Sequence, residues 1–288
     1  MNSPLWTPNK AAIKLIKVID QFSAIHALDR FPTDIPAIAL ETANIFGWDD
    51  PITIVKGVDI KKFDGALMPD EDRKKWLLLY NQSLDSLGRI RFTQAHELGH
   101  YILHRTLRDN FQCGDSNVLS WPGDEENIET QADEFASSLL MPINDFREQT
   151  NTDINLDVLS FCASRYGVSL TATVLKWIKL TLESAVLILS KSGYIEWAWS
   201  SASAMKAGAY FKTQGNIIEV PQGTLAADES LPNEMFGKNI AAASWFKNSA
   251  DKDSEIKEMK VLMDKYERVL TLLVLSKNTS VWPEWSNN

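Results

Sequence analysis

Three of the chain's four histidines lie within nine residues, in the stretch Arg91-Phe-Thr-Gln-Ala-His-Glu-Leu-Gly-His-Tyr-Ile-Leu-His104. His96 and His100 are spaced i, i+4, so on a helix they share a face and both imidazoles can reach one ion. Glu97 follows His96 directly. It stands beside such an ion without needing to ligate it, which is the position of a general base for an activated water. H-E-x-x-H alone is short, and a chance match in a chain of this length is expected at roughly the one-in-a-hundred level. The neighbours strengthen it. Phe92, Ala95, Leu98, Ile102 and Leu103 make most faces of the helix apolar, and imidazoles buried there are costly unless they find partners. Gly99 weakens a helix by up to about 1 kcal/mol, which predicts close approach of another element at that point.

Zinc held in this way needs a third protein ligand. His104 lies eight residues from His96, about 12 Å of helix rise, and fits one shared ion poorly. Cys113 offers a thiolate but stands alone in a polar segment. Glu129 is favoured. It opens Glu129-Thr-Gln-Ala-Asp133-Glu-Phe-Ala-Ser-Ser-Leu-Leu-Met-Pro142, where Ala132, Phe135, Ala136, Leu139 and Leu140 recur at helical spacing and Pro142 ends the run. Asp133 shares the face of Glu129. One carboxylate can bind the ion while the other accepts the free N–H of a ligating histidine. Without His96 and His100, the acidic pair would read as a solvated helix face.

The two linked motifs, R-F-T-x-A-H-E-L-G-H-x-x-x-H and E-x-x-A-D-x-F-A-x-x-L-L-M-P, resemble those of the ImmA/IrrE family of zinc-dependent metallopeptidases. The likeness covers roughly residues 30–150. It implies a zincin-like domain, Zn2+ as cofactor, His96, His100 and Glu129 as ligands, and Glu97 as catalytic base. Asp133 falls where the family has Asp or Asn. Some members cleave a helix-turn-helix repressor, so the resemblance also implies a protein substrate, a repressor or antitoxin-like protein encoded nearby. Tyr101, His104 and Tyr80 are candidates for hydrogen bonding to a developing oxyanion or to a ligand, with a structural hydrogen bond favoured for His104.

The elements that must carry these residues are legible in part. Helices are expected over Asn9–Leu28 and Ala37–Phe46, the second stopped by Gly47, and a strand over Ile52–Val58. Phe63–Met68 and Trp76–Tyr80 predict a hairpin. If its second strand borders the cleft, it can pair with an extended peptide; plain sheet scaffold is an equal reading. Residues 106–128 read as a loop rimming the cleft, with Trp121 as a lid or a pin. Residues 155–181 predict two helices around Tyr166–Ser169, like a helix-turn-helix. Only Arg165, Lys176 and Lys179 are basic there, which favours packing over DNA contact. Beyond Glu183 the pattern predicts a hairpin over Ala185–Trp199, a short helix Ala202–Phe211, strands at Ile217–Val220 and Val269–Leu275, and a helix Glu255–Tyr266. Trp197, Trp199, Trp245, Trp282 and Trp285 fall in this half; they could line a ligand pocket or partner surface, or simply pack.

The fold class is therefore read as α+β. A zincin-like metallopeptidase domain with a small sheet and the HExxH helix spans 1–150. A helix-turn-helix-like helical segment spans 151–182. A C-terminal α/β domain spans 183–288, which the resemblance allows to be a GAF-like sensor or a partner-binding domain. The 288 residues are 44% hydrophobic, enough for a core, and carry a net charge of −9, which opposes broad nucleic-acid binding. Two cysteines, Cys113 and Cys162, make no disulfide framework. Met1–Pro8 has no apolar run of signal-peptide length, and no aliphatic run approaches a membrane span. These features predict a soluble, cytoplasmic protein with no membrane partner and no direct DNA contact. Two other function classes remain open: a zinc-binding regulator that does not cleave, and a transcription factor that uses residues 155–181.

Overall fold

The computed structural model describes residues 6–59, 62–84, 86–107, 111–113, 124–228, 230–247, 253–263, 267–277 and 279–282. The chain divides into two compact units, Met1–Gln149 with Cys162–Ser169, and Thr150–Phe161 with Leu170–Asn288.

The first unit begins with α1 (Pro8–His26), where Thr7 accepts from the Lys10 N–H at 3.4 Å and Pro8 presets the first turn. α2 (Ile35–Phe46) starts at Asp34, which accepts from Ala37 N–H at 3.1 Å. It ends at Gly47, whose φ of 74° makes the left-handed cap that lets its N–H reach the Ala43 carbonyl. Then come β1 (Ile52–Val58), β2 (Gly65–Pro69), β3 (Trp76–Asn81), α3 (Leu87–His104), β4 (Phe111–Cys113), α4 (Asp124–Leu140) and α5 (Ile143–Gln149). The strands form one sheet in the order β1-β3-β2-β4, with β1 parallel to β3 and the other pairs antiparallel.

That order corrects the strand-addition expectation for Trp76–Tyr80. β3 lies inside the sheet, with β1 and β2 using both its edges, so its backbone is not open to an extended peptide. The expected hairpin itself is present, Gly65–Pro69 against Trp76–Asn81. The expected loop 106–128 is also shorter than predicted. Phe111–Cys113 pairs with β2, and α4 begins at Asp124; Trp121 lies outside the described residues.

α3 packs along α4 and against β2 and β3, while α1 closes the other side of α4. Asn9 ties α1 to α4, donating to Glu134 at 2.6 Å and accepting from Ser138 at 2.9 Å. Leu15, Leu67, Leu78, Leu98, Phe135 and Leu139 are fully buried. They remove the apolar stripes of helices and sheet from water at roughly 25 cal/mol per Å². α6 (Leu156–Tyr166) and α7 (Leu170–Leu180) are the two helices expected between 155 and 181. Tyr166 and Arg165 belong to the first unit, where both donate to Asp145 of α5 at 2.5–2.9 Å.

The second unit is built on a five-stranded antiparallel sheet. β5 (Ala185–Lys191) and β6 (Tyr194–Ser200) form the expected hairpin, turned by Ser192 and Gly193 at φ of 50° and 80°. α8 (Ala202–Lys206) is shorter than the expected helix to Phe211, and Ile217–Val220 contributes one bridge, Tyr194 to Glu219, rather than a strand. β7 (Glu234–Ala241) has no counterpart in the sequence reading. β8 (Glu255–Met263) overturns the helix expected over Glu255–Tyr266, and β9 (Arg268–Leu275) matches expectation. The order is β6-β5-β9-β8-β7. The helix expectation fails because Glu258 and Lys260, two residues apart and so on one face of a strand, are fully buried. The Glu258 carboxylate accepts from the N–H groups of Leu225 and Ala226 at 3.1 and 2.9 Å, and Lys260 donates to the Asp228 carbonyl at 2.5 Å. Tertiary partners thus override helix propensity. Among the described residues, no single helix is long and apolar enough to cross a membrane.

Candidate metal centre

Ser86 starts α3 by accepting from Arg89 N–H at 3.4 Å. From Thr93 to Ile102 every residue of this helix is buried, His96, Glu97 and His100 among them. Gly99 makes the close approach that its position predicts. A Cβ there would stand 3.0 Å from the Phe135 ring and 3.2 Å from the Ala132 Cα. The glycine therefore sets how near α4 comes, and α4 carries Glu129 and Asp133 toward the histidines.

The Nε2 atoms of His96 and His100 are 3.0 Å apart. Glu129 Oε2 is 3.1 Å from His96 Nε2, and its Oε1 is 3.4 Å from His100 Nε2. Three ligands on a tetrahedral zinc with bonds of about 2.1 Å would be separated by about 3.4 Å. The two imidazole nitrogens lie near that separation and each faces one Glu129 oxygen, and a donor set of two imidazoles and one carboxylate suits zinc chemically. Among the described residues this group could hold a metal ion. The electrostatics agree with that donor set. Burial pushes the His100 pKa down, which favours the neutral ring that a metal ligand must be. Burial alone would raise the Glu129 pKa, but the hydrogen bonds of His100 and His96 outweigh it and hold the carboxyl well below its ordinary value.

The other candidates fall in different places. Asp133 Oδ1 is 2.8 Å from His96 Nδ1, so an N–H there donates to the carboxylate and leaves Nε2 facing the cluster. His104 Nδ1 is 3.1 Å from His100 Nδ1, and burial pushes the His104 pKa down to about 4. Tyr101 is fully buried between Trp48 and Trp76, and its hydroxyl donates to the Asp50 carbonyl at 2.8 Å. That hydroxyl is committed to the α2–β1 connection. Tyr80 is half-buried on interior strand β3, its ring beside Gly57. The Cys113 side chain lies outside what the structure describes.

Two residues at the site have no sequence signal of their own. Gly65 of β2 faces Glu97: a Cβ on Gly65 would be 2.6 Å from Glu97 Oε1 and 2.5 Å from Thr93 Cγ2. Gln131, two residues after Glu129 on α4, reaches His104 at 3.3 Å. Sheet register and helix docking bring both to the site, and neither is encoded in a local motif.

Comparison with known proteins gives the cluster a context. Residues 55–177 match the IrrE N-terminal-like domain of the M78 peptidase family. An 83-residue stretch is 34% identical to Metallopeptidase ImmA of Bacillus subtilis (strain 168), covering 29% of this chain and 44% of that protein. The chain thus spans less than half the length of the curated relative it matches. The resemblance carried by the two motifs is recovered independently, over a segment that contains His96, Glu97, His100, Glu129 and Asp133. Residues 55–177 are thus similar to the IrrE N-terminal-like domain of the ImmA/IrrE metallopeptidases.

Proposed function

We propose that this protein is a zinc-dependent endopeptidase that hydrolyses a peptide bond in a regulatory protein. The observation that carries the reading is the convergence of His96, His100 and Glu129, whose Nε2 atoms are 3.0 Å apart and meet the carboxylate at 3.1 Å through Oε2 and at 3.4 Å through Oε1. His96, His100 and Glu129 would hold the ion, and three protein ligands leave a position for substrate or water. Bound zinc supplies a Lewis acid that polarises a carbonyl and lowers the pKa of water.

The chain's own residues do the rest. Glu97, the neighbour of His96 on the buried helix, takes the proton of the attacking water on its carboxylate and delivers it to the departing amine nitrogen. Its burial keeps bulk water away from that proton. Asp133 holds His96 by its Nδ1–H. By the family's behaviour, the substrate we favour is a helix-turn-helix repressor or antitoxin-like protein encoded nearby.

The arrangement of the basic residues between 155 and 181 supports proteolysis over DNA binding. Arg165 is paired with Asp145, Lys176 is buried, and Lys179 lies over the Trp199 ring. We assign residues 183–288 a sensor or partner-binding role.

The test is Glu97→Gln, compared with wild type by co-expression with the neighbouring repressor. The variant should bind zinc stoichiometrically and yield no cleaved product. Full biological activity in Glu97→Gln would instead make the protein a zinc-binding regulator that does not cleave.

A further inference from the structure

His96 and His100 face the same point, yet the groups behind them differ. Behind His96 stands the Asp133 carboxylate, which can only accept a hydrogen bond when ionised. Behind His100 stands His104, an imidazole whose ring nitrogens can each either donate or accept. Something further must decide which nitrogen of His104 carries its proton, or the orientation of His100 is left undetermined.

The decision is made on α4. Gln131 Nε2 donates to Asn127 Oδ1 at 2.9 Å, one turn earlier on the same helix. That contact turns Gln131 Oε1 toward His104 Nε2, at 3.3 Å. An amide oxygen only accepts, so His104 Nε2 must carry the proton. His104 Nδ1 is then a bare lone pair, 3.1 Å from His100 Nδ1. Once an ion takes the lone pair of His100 Nε2, the atom that faces His96 and Glu129, the proton of His100 sits on Nδ1 and donates to His104 Nδ1. Each contact in this arrangement pairs one donor with one acceptor, and His100 and His104 are buried, so water is a poor substitute partner.

We infer that Asn127, Gln131 and His104 form a neutral relay that fixes the tautomer of His100 and so presents its Nε2 as a ligand. These are positioning residues. The relay does for His100 what the Asp133 carboxylate does for His96, but it adds no charge. A second carboxylate in its place would put more negative charge beside the ion and weaken its hold on electrons from water or a carbonyl. The inference rests on the proposed reading of His100 as a metal ligand.

The chain has four histidines, so selective 15N-histidine labelling gives four rings to follow, with exposed His26 as an internal reference. Two-bond 15N–1H correlation spectra report which nitrogen of each ring is protonated. In zinc-bound wild type, His104 should show a protonated Nε2 and a bare Nδ1. Gln131→Leu should mix the two His104 tautomers and weaken zinc binding by about 10–100-fold, read by competition with a chromophoric chelator. Gln131→Glu, which keeps an acceptor without needing Asn127, should restore the single His104 tautomer. A thermal melt of each metal-free variant separates loss of folding from loss of the relay. A protonated Nδ1 on His104 in wild type overturns the inference. So does a folded Gln131→Leu with an unchanged tautomer and unchanged zinc affinity. Failure of wild type to bind zinc sinks the peptidase reading and the relay together, whereas wild type that binds zinc with His104 Nδ1 protonated sinks the relay alone.

Discussion

Gly65 on β2 lies directly over the Glu97 carboxylate on α3, so close that a methyl group at the glycine would stand 2.6 Å from Glu97 Oε1 and 2.9 Å from its Cγ. The sheet thus roofs the proposed general base, and the absence of a side chain at residue 65 is what leaves room for it. Gly65→Ala should push the Glu97 side chain aside while leaving His96, His100 and Glu129 in place. The expected outcome is a fall in kcat/KM of about 10²–10³-fold, within the range for displacing a general base. Zinc stoichiometry should stay at wild-type level, measured by elemental analysis of the same sample.

Gly99 performs the corresponding service on the other face of α3. Gly99→Val would place methyl groups against the Phe135 ring and the Ala132 backbone, and the overpacking should cost about 1–3 kcal/mol by chemical denaturation. Because α4 carries Glu129, the same variant should also bind zinc more weakly. Wild-type zinc affinity in a destabilised Gly99→Val would argue that the spacing of α3 and α4 does not set the site.

Metal binding should be visible as stability. A ligand that binds only the folded chain, present at 1,000 times its Kd, stabilises it by about 4 kcal/mol. Zinc should therefore raise the Tm of wild type and a chelator should lower it. Glu129→Ala removes the carboxylate that faces both imidazoles and should abolish most of that difference. An equal zinc-dependent shift in Glu129→Ala would exclude Glu129 as a ligand.

Asp133 should act through His96 alone. Asp133→Ala removes the acceptor 2.8 Å from His96 Nδ1 and should weaken zinc binding by about 10–100-fold. Asp133→Asn keeps an acceptor oxygen and should recover most of the loss. If both variants bind zinc as wild type does, the Asp133 contact is incidental to the site.

The pH dependence of the first unit should be traceable to Asp145. Burial raises its pKa, but the hydrogen bonds from Arg165 and Tyr166 outweigh this, and the folded value lies below the ordinary one. A carboxyl depressed on folding contributes stability that is present above the unfolded value, near 3.9, and is lost as pH falls through the folded value. Its side chain is 24% exposed, so the contribution is discounted for screening to about 1–2 kcal/mol. Asp145→Asn should lose that amount at pH 7, and the gap to wild type should close as pH falls through the folded value. A constant gap across the whole range would mean the ion pair is not the source.

His96, Glu97 and His100 were legible from spacing alone, because an i, i+4 pair on a helix faces one way in any fold. Glu129 and Asp133 were legible for the same reason, once a second helix with matching apolar periodicity had to dock on the first, and Gly99 marked where. Other features depend on pairing between distant strands and helices, which no local pattern records. β3 reads like an edge strand, yet β1 returns parallel to it and takes that edge. Residues 255–263 read as a helix by composition. They form a strand because Glu258 and Lys260 find buried partners in the segment before β7. Gly65 reaches Glu97 through sheet register, and Gln131 reaches His104 through the docking of α4 on α3. The chain's local periodicity therefore determined which residues could meet an ion, and tertiary packing decided what stands behind and above them.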